Sequence, residues 1–503
     1  MRSEFLKSTF LSLCFAVGVG YADSGSGHAD SGSDTDNVHI FPTSLTTQVD
    51  GGELKSGEIG VDSHSPTAND FIQRTSVWVT EQAVIQKRLD IKIGVGGLYW
   101  YAVPGPSASP DISSVTPYSS RANFGPGISR ADLTYTFGDL EKPVFTLQAG
   151  LFPYKYDEDA MDLGEFLLRS GTYPGYVVSG GWDLLSEANY MMQGVRLNMS
   201  LWDGKFQSDF LLPQEHDYPP TNDLSPSYVG SVTPMKGVEF GFGASCSHCI
   251  SVQPSKTTPD ENYSTDGKAQ QEYGGYGNAY VVPNPTYNPS ETKTDFNVSP
   301  GSPGYNPEYI YDTTGHYTFM GVKLMARFAF DPKAYISMPM LGPKDLRIFG
   351  EWSLLGVKNY PFYYDDRWRR MPVMMGINLP AFRLLDVFSF QVEYYDSKFP
   401  NSVYNPYQYG LPTYDFVDNT GALTNDPNDF DPNNEAVTRD KWKWAFYAKK
   451  QVIRGLSVYA QVADDDMRLP SVNDIGALVY TQEPATNIFG RDWYYLVRLE
   501  LGI

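Results

Sequence analysis

The chain has 503 residues and a formal net charge of −21 at pH 7, with 38 lysines and arginines against 59 aspartates and glutamates. This balance argues against a nucleic-acid-binding protein, because phosphate contacts need a basic surface. The chain contains 36 tyrosines, 46 glycines and 36 prolines, and such a composition favours many short strands and turns over helices.

Residues 1–22 have the features of a cleaved secretory signal. Arg2 and Lys7 precede an apolar run at 10–19, and the small residue Ala22 stands where a signal peptidase would cut. The run is shorter than the roughly 20 apolar residues that span a bilayer. A lipoprotein anchor at Cys14 is the competing interpretation. We expect cleavage after Ala22.

Residues 23–66 are expected to form a flexible linker with room for a first strand, since 23–37 is rich in serine, glycine and aspartate. From 67 to 503, apolar and polar residues alternate in recurring segments, each about as long as a tilted strand needs to cross a bilayer. The segments lie at 73–85, 89–99, 130–137, 145–151, 194–201, 205–213, 236–252, 316–330, 344–358, 370–379, 386–397, 440–452, 455–465 and 493–503.

The connections between these segments are of unequal length, which is typical of a transmembrane antiparallel β-barrel with short periplasmic turns and long external loops. The alternation of short and long fails at 214–235 and 253–315, which are both long. One more strand between 236 and 316, and one within 38–66, would restore it. We therefore predict an all-β barrel of 14–16 strands, with 16 as the best value.

The last segment, "RDWYYLVRLELGI", has one apolar face. In a closed barrel it would pair with the first strand, and lipid would cover that face. Aromatic residues cluster at strand ends, at 99–101, 394–395, 442–444 and 493–495. Tyrosine and tryptophan favour the two membrane interfaces, so these clusters agree with a membrane barrel.

Two segments carry a family resemblance: "FPYKYDEDAMDLGEFLLRSGTYPGYVVSGGW" and "RMPVMMGINLPAFRLLDVFSFQVEYYDS". They resemble large, poorly characterised outer-membrane proteins of fibre-degrading bacteria, and the general plan resembles porins. The resemblance implies a location in the cell outer membrane and passage of solutes as the default role.

The connection 153–190 is the main candidate site. Asp159 as N-cap, apolar residues at helical spacing and Gly171 predict a short helix. With the extra first strand this is the third external loop, which in porins folds into the lumen and narrows it. Its acidic side chains would then face inward-pointing arginines in a pore constriction (Asp157, Glu158, Asp159, Asp162 and Glu165 facing Arg130, Arg196, Arg347 and Arg498). The alternative is an external cap with solvated carboxylates.

Other polar residues have less specific interpretations. By parity, five more charged side chains face the lumen (Lys323, Arg327, Glu351, Glu393 and Glu500), and their mixed signs argue against a dedicated ion filter. The cluster "DDRWRR" at 365–370 fits either a pore entrance or contacts with lipid head groups. Cys246 and Cys249 lack further ligands for zinc, but a turn would allow a disulfide between them.

These observations predict a channel for passive diffusion of small hydrophilic solutes, with no cofactor, no metal and no enzymatic activity. Its expected partners are outer-membrane lipid and those solutes, in a homotrimer of the porin type. Long loops rich in tyrosine, asparagine and proline suggest an alternative, a surface barrel with a blocked lumen that binds extracellular glycans. Hydrolase motifs such as G-x-S-x-G do not occur, although a hydrolytic site scattered over strands is a further alternative.

Overall fold

Sixteen antiparallel strands pair in chain order, and the last strand pairs with the first, so the sheet closes into a barrel. The strands are β1 (Ser44–Ile59), β2 (Asp70–Ile85), β3 (Leu89–Val103), β4 (Asn123–Phe137), β5 (Phe145–Pro153), β6 (Met191–Leu201), β7 (Phe206–Pro213), β8 (Ser227–Met235), β9 (Val238–Ser247), β10 (Gly321–Phe330), β11 (Ile348–Leu354), β12 (Val373–Asn378), β13 (Val387–Tyr394), β14 (Trp442–Ile453), β15 (Leu456–Asp464) and β16 (Trp493–Gly502).

The structure is a computed structural model. It describes residues 38–59, 65–67, 70–103, 123–168, 191–214, 224–247, 249–250, 280–283, 309–312, 321–357, 367–395, 416–417, 423–424, 442–464, 468–472, 478–482 and 493–503. The predicted signal, 1–22, lies outside the described residues.

The barrel and its sixteen strands are as predicted, but one of the two added strands was placed wrongly. It is β8, within 214–235, and not a strand between 236 and 316. A tight turn at Lys236–Gly237 joins β8 to β9, and Gly237 has a positive φ (+76°), which glycine adopts without strain. The other added strand is β1, which lies within 38–66 as predicted, so the barrel begins at residue 44 and not at 67.

Additional short strands lie at the ends of the barrel and within its long connections. Val38–Ile40 pairs with the end of β2, and Ser65–Thr67 pairs with the end of β1. Three further pairs of strands form separate two-stranded sheets: Tyr280–Pro283 with Tyr309–Asp312, Phe416–Val417 with Leu423–Thr424, and Arg468–Val472 with Leu478–Gln482.

Short connections lie at one end of the barrel, hereafter the short-connection end. They are residues 86–88, 138–144, 202–205, 236–237, 331–347, 379–386 and 454–455. The connection 331–347 is the longest of the seven and contains the 3-10 turn Pro332–Ala334. The connections that alternate with these seven along the chain are mostly longer, although 60–69 and 214–226 are shorter than 331–347. Unequal connections of this kind are typical of outer-membrane barrels.

The two faces of the sheet differ in chemistry, as β16 illustrates. Tyr494, Leu496 and Arg498 point inward and are almost completely buried, whereas Val497 and Leu499 point outward and are 47% and 48% exposed. Outward side chains on other strands are also apolar and exposed, among them Ile93 on β3 and Phe240 on β9. Hydrocarbon stabilises such an outer surface and water does not. Among the described residues, no helix has the length and apolar character to cross a bilayer.

We predict that Gly150→Ala destabilises the barrel wall. Gly150 lies in β5 with φ +122°, and an added Cβ would meet the carbonyl oxygen of Ala131 and lie 3.0 Å from the Cα of Asp132 on β4. A φ in this glycine-specific region costs about 1–3 kcal/mol for a residue with a side chain. The temperature at which the folded band disappears in heat-modified gel electrophoresis should fall clearly. Gly502→Ala, where an added Cβ has nothing within 4 Å, is the control and should leave it unchanged.

Candidate pore constriction

Residues 154–168, the first part of the connection after β5, lie inside the barrel. Phe166 and Leu167 are completely buried, and Asp157, Asp159 and Asp162 are at most 2% exposed. Their contacts are with inward-facing side chains of the wall, from β10 round to β16. The interpretation as an external cap with solvated carboxylates is therefore wrong for Asp157, Asp159 and Asp162. We call residues 154–168 the inner loop.

Wall side chains accept hydrogen bonds from the backbone of the inner loop. The amide oxygen of Gln391 accepts from the N–H groups of Met161, Asp162 and Leu163 at 3.1–3.3 Å. The Gln391 side-chain amide donates in turn to the Asp159 carbonyl at 3.2 Å. Because burial leaves backbone N–H groups without water, such acceptors are what allow an irregular loop to remain inside.

Glu351 on β11 is the second such acceptor. One carboxylate oxygen accepts from the Glu165 N–H at 2.7 Å, and the other accepts from the Phe166 N–H at 2.9 Å and from the Tyr156 hydroxyl at 2.7 Å. Glu393 on β13 accepts from the Gly164 N–H at 3.4 Å. The alternation of side chains correctly predicted that Glu351 and Glu393 lie on the inner face. It did not predict that they accept hydrogen bonds from the loop backbone.

The predicted helix is absent from the inner loop, which consists of bends and one turn. Gly164 and Glu165 have positive φ values, +86° and +55°, which an α-helix does not permit. Side chains of the wall accept hydrogen bonds from the N–H groups that, in a helix, would donate to carbonyls of the helix itself. Gly171, the predicted helix end, lies outside the described residues.

Apolar packing holds one side of the inner loop against β6–β10. Phe152, Tyr154 and Leu167 belong to a buried cluster that also contains Met192 and Met325 of the wall. Gly243 on β9 makes room for this contact, because a Cβ there would lie 2.8 Å from a methyl carbon of Leu167. The loop is therefore anchored by hydrophobic contacts on one side and by hydrogen bonds to the wall on the other.

The acidic segment of the inner loop meets arginines of the wall at the short-connection end. Arg347 donates to Asp159 at 2.6 Å and to Glu239 at 3.4 Å. Arg327 donates to Glu239 at 2.6 Å and lies 3.9 Å from Asp157. The sequence analysis did not single out Glu239, although the outward Phe240 beside it marks it as an inward residue.

The other predicted arginines pair elsewhere. Arg196 binds Asp209 of the neighbouring strand through two hydrogen bonds, at 2.7 and 3.1 Å. Arg130 pairs with Asp132 on its own strand, and Arg498 pairs with Asp50 across the junction of β16 and β1. The prediction that four arginines face the loop acids is therefore wrong for Arg130 and Arg498. Arg196 also pairs on the wall, but its guanidinium lies 5.2 Å from the ring centre of Tyr154 in the inner loop.

The remaining acids of the loop have three different environments. Asp162 accepts from the Gln461 amide at 2.7 Å and from the Tyr494 hydroxyl at 3.4 Å. Glu165 accepts from the N–H groups of Tyr156 and Asp157, both at 3.0 Å. Glu158 has an 89% exposed side chain, which lies 3.9 Å from Lys344.

A polar cavity of about 340 Å³ lies between the inner loop and β6–β11. Its lining includes Asp157, Asp159, Arg196, Glu239, Arg327 and Arg347. Its volume is enough for roughly ten water molecules. Charged groups of both signs therefore face a space that suits small hydrophilic molecules.

Other candidate residues lie away from this cavity. The structure joins Cys246, near the end of β9, to Cys249 in a disulfide with a Cα–Cα distance of 5.6 Å. The described residues contain no group of three or more histidine, cysteine or acidic side chains that could hold a metal ion. In the segment 365–370, Arg367–Arg370 form a 3-10 turn. Most of the tyrosine- and proline-rich external loops lie outside the described residues.

Comparison with known proteins gives structural neighbours only. No protein-family model matches the chain, and no curated sequence is similar to it. The structure is similar to mutants of the porin of Rhodopseudomonas blastica. One has a TM-score of 0.38 and 7% identity, and another has a TM-score of 0.39 and 8% identity. In both cases the similarity covers 92% of this chain and 100% of the porin chain.

Removal of the Glu351 carboxylate should loosen the inner loop. Glu351→Ala leaves three buried donors without their acceptor, and each such donor costs about 1–3 kcal/mol. We expect much faster hydrogen exchange at the amides of Glu165 and Phe166, while exchange in the strands changes little. Glu351→Gln keeps one acceptor oxygen and should fall between wild type and Glu351→Ala. Unchanged exchange in both variants would contradict the assigned role.

The position of the inner loop should depend on pH. Burial raises the pKa of Glu165 to about 7, with the Lys155 charge opposing and the Asp157 charge supporting the shift. Outside the barrel the pKa returns to its ordinary value of 4.5, so protonation favours the seated loop. Protection of loop amides should be greatest below about pH 4.5 and should decline as pH rises through 7. The side chain introduced by Glu165→Gln stays neutral at every pH, so the decline in amide protection near pH 7 should become smaller in this variant.

Proposed function

We propose that this chain is a porin-like outer-membrane channel through which small hydrophilic solutes diffuse passively, without a cofactor or a covalent step. The supporting observation is the inner loop, which brings Asp157 and Asp159 against Arg327 and Arg347 inside a closed barrel, next to a polar cavity. In this proposal Asp157, Asp159, Arg327 and Arg347 form the constriction, and Arg196 lines the adjoining cavity.

The charges around the cavity support polar selectivity. Paired carboxylates and guanidinium groups that line a narrow space create a local field that orients polar molecules. An apolar molecule would displace water from these groups without replacing its hydrogen bonds, which is unfavourable. Because both signs are present, with Asp157, Asp159 and Glu239 near Arg327 and Arg347, we infer weak discrimination between anions and cations.

The same proposal includes the location and assembly of the protein. Export would follow the signal at 1–22, the apolar outer face would contact outer-membrane lipid, and the short-connection end would face the periplasm. We include a homotrimer as the expected assembly, on the basis of the resemblance to porins. The exposed outward apolar residues would then be divided between lipid and subunit contacts.

Planar-bilayer recordings of the purified protein test the channel directly. We expect stepwise openings and a reversal potential close to zero in a salt gradient. Arg327→Gln combined with Arg347→Gln removes two positive charges beside Asp157, Asp159 and Glu239, so the reversal potential should shift clearly toward cation selectivity.

Arg130→Gln is the matched control, because Arg130 pairs with Asp132 away from the inner loop and its loss should shift the reversal potential little. A membrane that stays sealed after insertion of folded protein would contradict the channel. An equal shift in control and double variant would contradict the assigned constriction.

A further inference from the structure

Every short connection of this acidic protein carries at least one basic residue (Lys87 and Arg88; Lys142; Lys205; Lys236; Lys333, Lys344 and Arg347; Arg383; Arg454). The seven connections hold ten lysines and arginines against six aspartates and glutamates, whereas the whole chain has a net charge of −21. The short-connection end is therefore basic in a protein that is otherwise strongly acidic. The solute pathway does not explain this, since most of these residues lie outside the cavity.

Large apolar side chains are exposed at the same end. Met340, Leu384 and Ile453 are 72%, 77% and 63% exposed, more than the 47–48% of the outward β16 residues Val497 and Leu499. Phe382, beside Arg383, is 56% exposed. Apolar groups next to lysine and arginine are typical of a bilayer interface, where the apolar part enters the acyl boundary and the charged group reaches the phosphates.

These residues belong to adjoining connections that are bonded to one another. The buried Asp345 accepts from the N–H groups of Gly342, Ala381 and Phe382 at 2.8–3.2 Å and so ties 331–347 to 379–386. Lys450 at the hairpin of β14 and β15 donates to the Arg383 carbonyl at 3.2 Å. The turn between β8 and β9 joins on the other side, since the Asp331 N–H donates to the Gly237 carbonyl at 2.7 Å.

We call this surface the short-end patch and define it by its members (Lys236, Met340, Phe382, Arg383, Leu384, Val452, Ile453 and Arg454). We propose that it binds the head groups of anionic phospholipids in the leaflet at the short-connection end. The basic side chains would contact the phosphates, and the apolar side chains would contact the first acyl carbons.

Two observations favour lipid over an acidic soluble partner. Two apolar members, Val452 and Ile453, join the patch directly to the barrel wall, since both are part of β14 itself. A soluble polyanion would be attracted by the basic residues, yet it would leave Met340, Leu384 and Ile453 exposed to water. The inference rests on membrane insertion, which is part of the proposed function, but not on conduction.

The test compares lipid retention in nanodiscs of phosphatidylglycerol and of phosphatidylethanolamine. After extraction into mild detergent, native mass spectrometry counts the lipids that stay bound. Wild type should retain phosphatidylglycerol preferentially, and the preference should fall as salt is raised. The triple variant Lys236→Gln, Arg383→Gln and Arg454→Gln should weaken it by roughly fivefold for each residue, on the order of 100-fold in total.

Two controls separate charge from folding. The charge-conserving triple Lys236→Arg, Arg383→Lys and Arg454→Lys should keep the preference, and heat-modified gel mobility should show folded barrels in every variant. Equal retention of both lipids by wild type, or wild-type retention by the glutamine variant, would overturn the proposal. So would a patch-dependent affinity for soluble polyglutamate without a phosphatidylglycerol preference.

Conduction is read separately in planar bilayers. A barrel that retains phosphatidylglycerol but does not conduct would contradict the channel and leave the lipid site intact. A channel with normal openings and no lipid preference would contradict the lipid site and support the channel. Failure to insert into any bilayer would overturn both.

Discussion

The pairing of β1 with β16 is the contact on which the rest of the structure depends. It runs from Thr46 opposite Gly502 to Ser56 opposite Trp493, and it leaves neither of the two terminal strands as a free edge. Inward polar groups add to it: Arg498 is completely buried and binds Asp50 across the junction. Because side chains alternate with a period of two, the register of this junction determines which residues face the lumen.

Closure creates a second requirement, because an irregular loop inside the barrel also needs partners for its backbone. Gln391 and Glu351 accept hydrogen bonds from five backbone N–H groups of the inner loop, those of residues 161–163 and 165–166. These acceptors are on the wall, so the loop conformation follows the positions of β11 and β13. The loop and the barrel therefore form one hydrogen-bonded unit, and the position of the loop depends on side chains of the wall.

Much of the barrel could be predicted because strand alternation and connection length are local properties of a sequence. β8 was missed because Pro226, Pro234 and the polar residues around them resemble a loop, while its pairing with β7 and β9 is visible only in three dimensions. The helix in the inner loop was predicted wrongly for the same reason. Its apolar residues, with Asp159 as a candidate N-cap, suggested a helix. Gln391 and Glu351, more than 180 residues away, accept hydrogen bonds from its N–H groups instead.

The position of the proposed constriction follows from how the wall arginines are paired. Arg196 and Arg130 have carboxylates on an adjacent or the same strand, so they are neutralised without the loop. Arg327 lies opposite Glu351 in the β10–β11 register, but Glu351 accepts from the loop backbone. Gly241 opposite Arg327 on β9 leaves room for its side chain, since a Cβ there would lie 2.5 Å from Nε. Arg327 therefore reaches Glu239 and Asp157, and with Arg347 it concentrates the loop's charge contacts beside β9–β11.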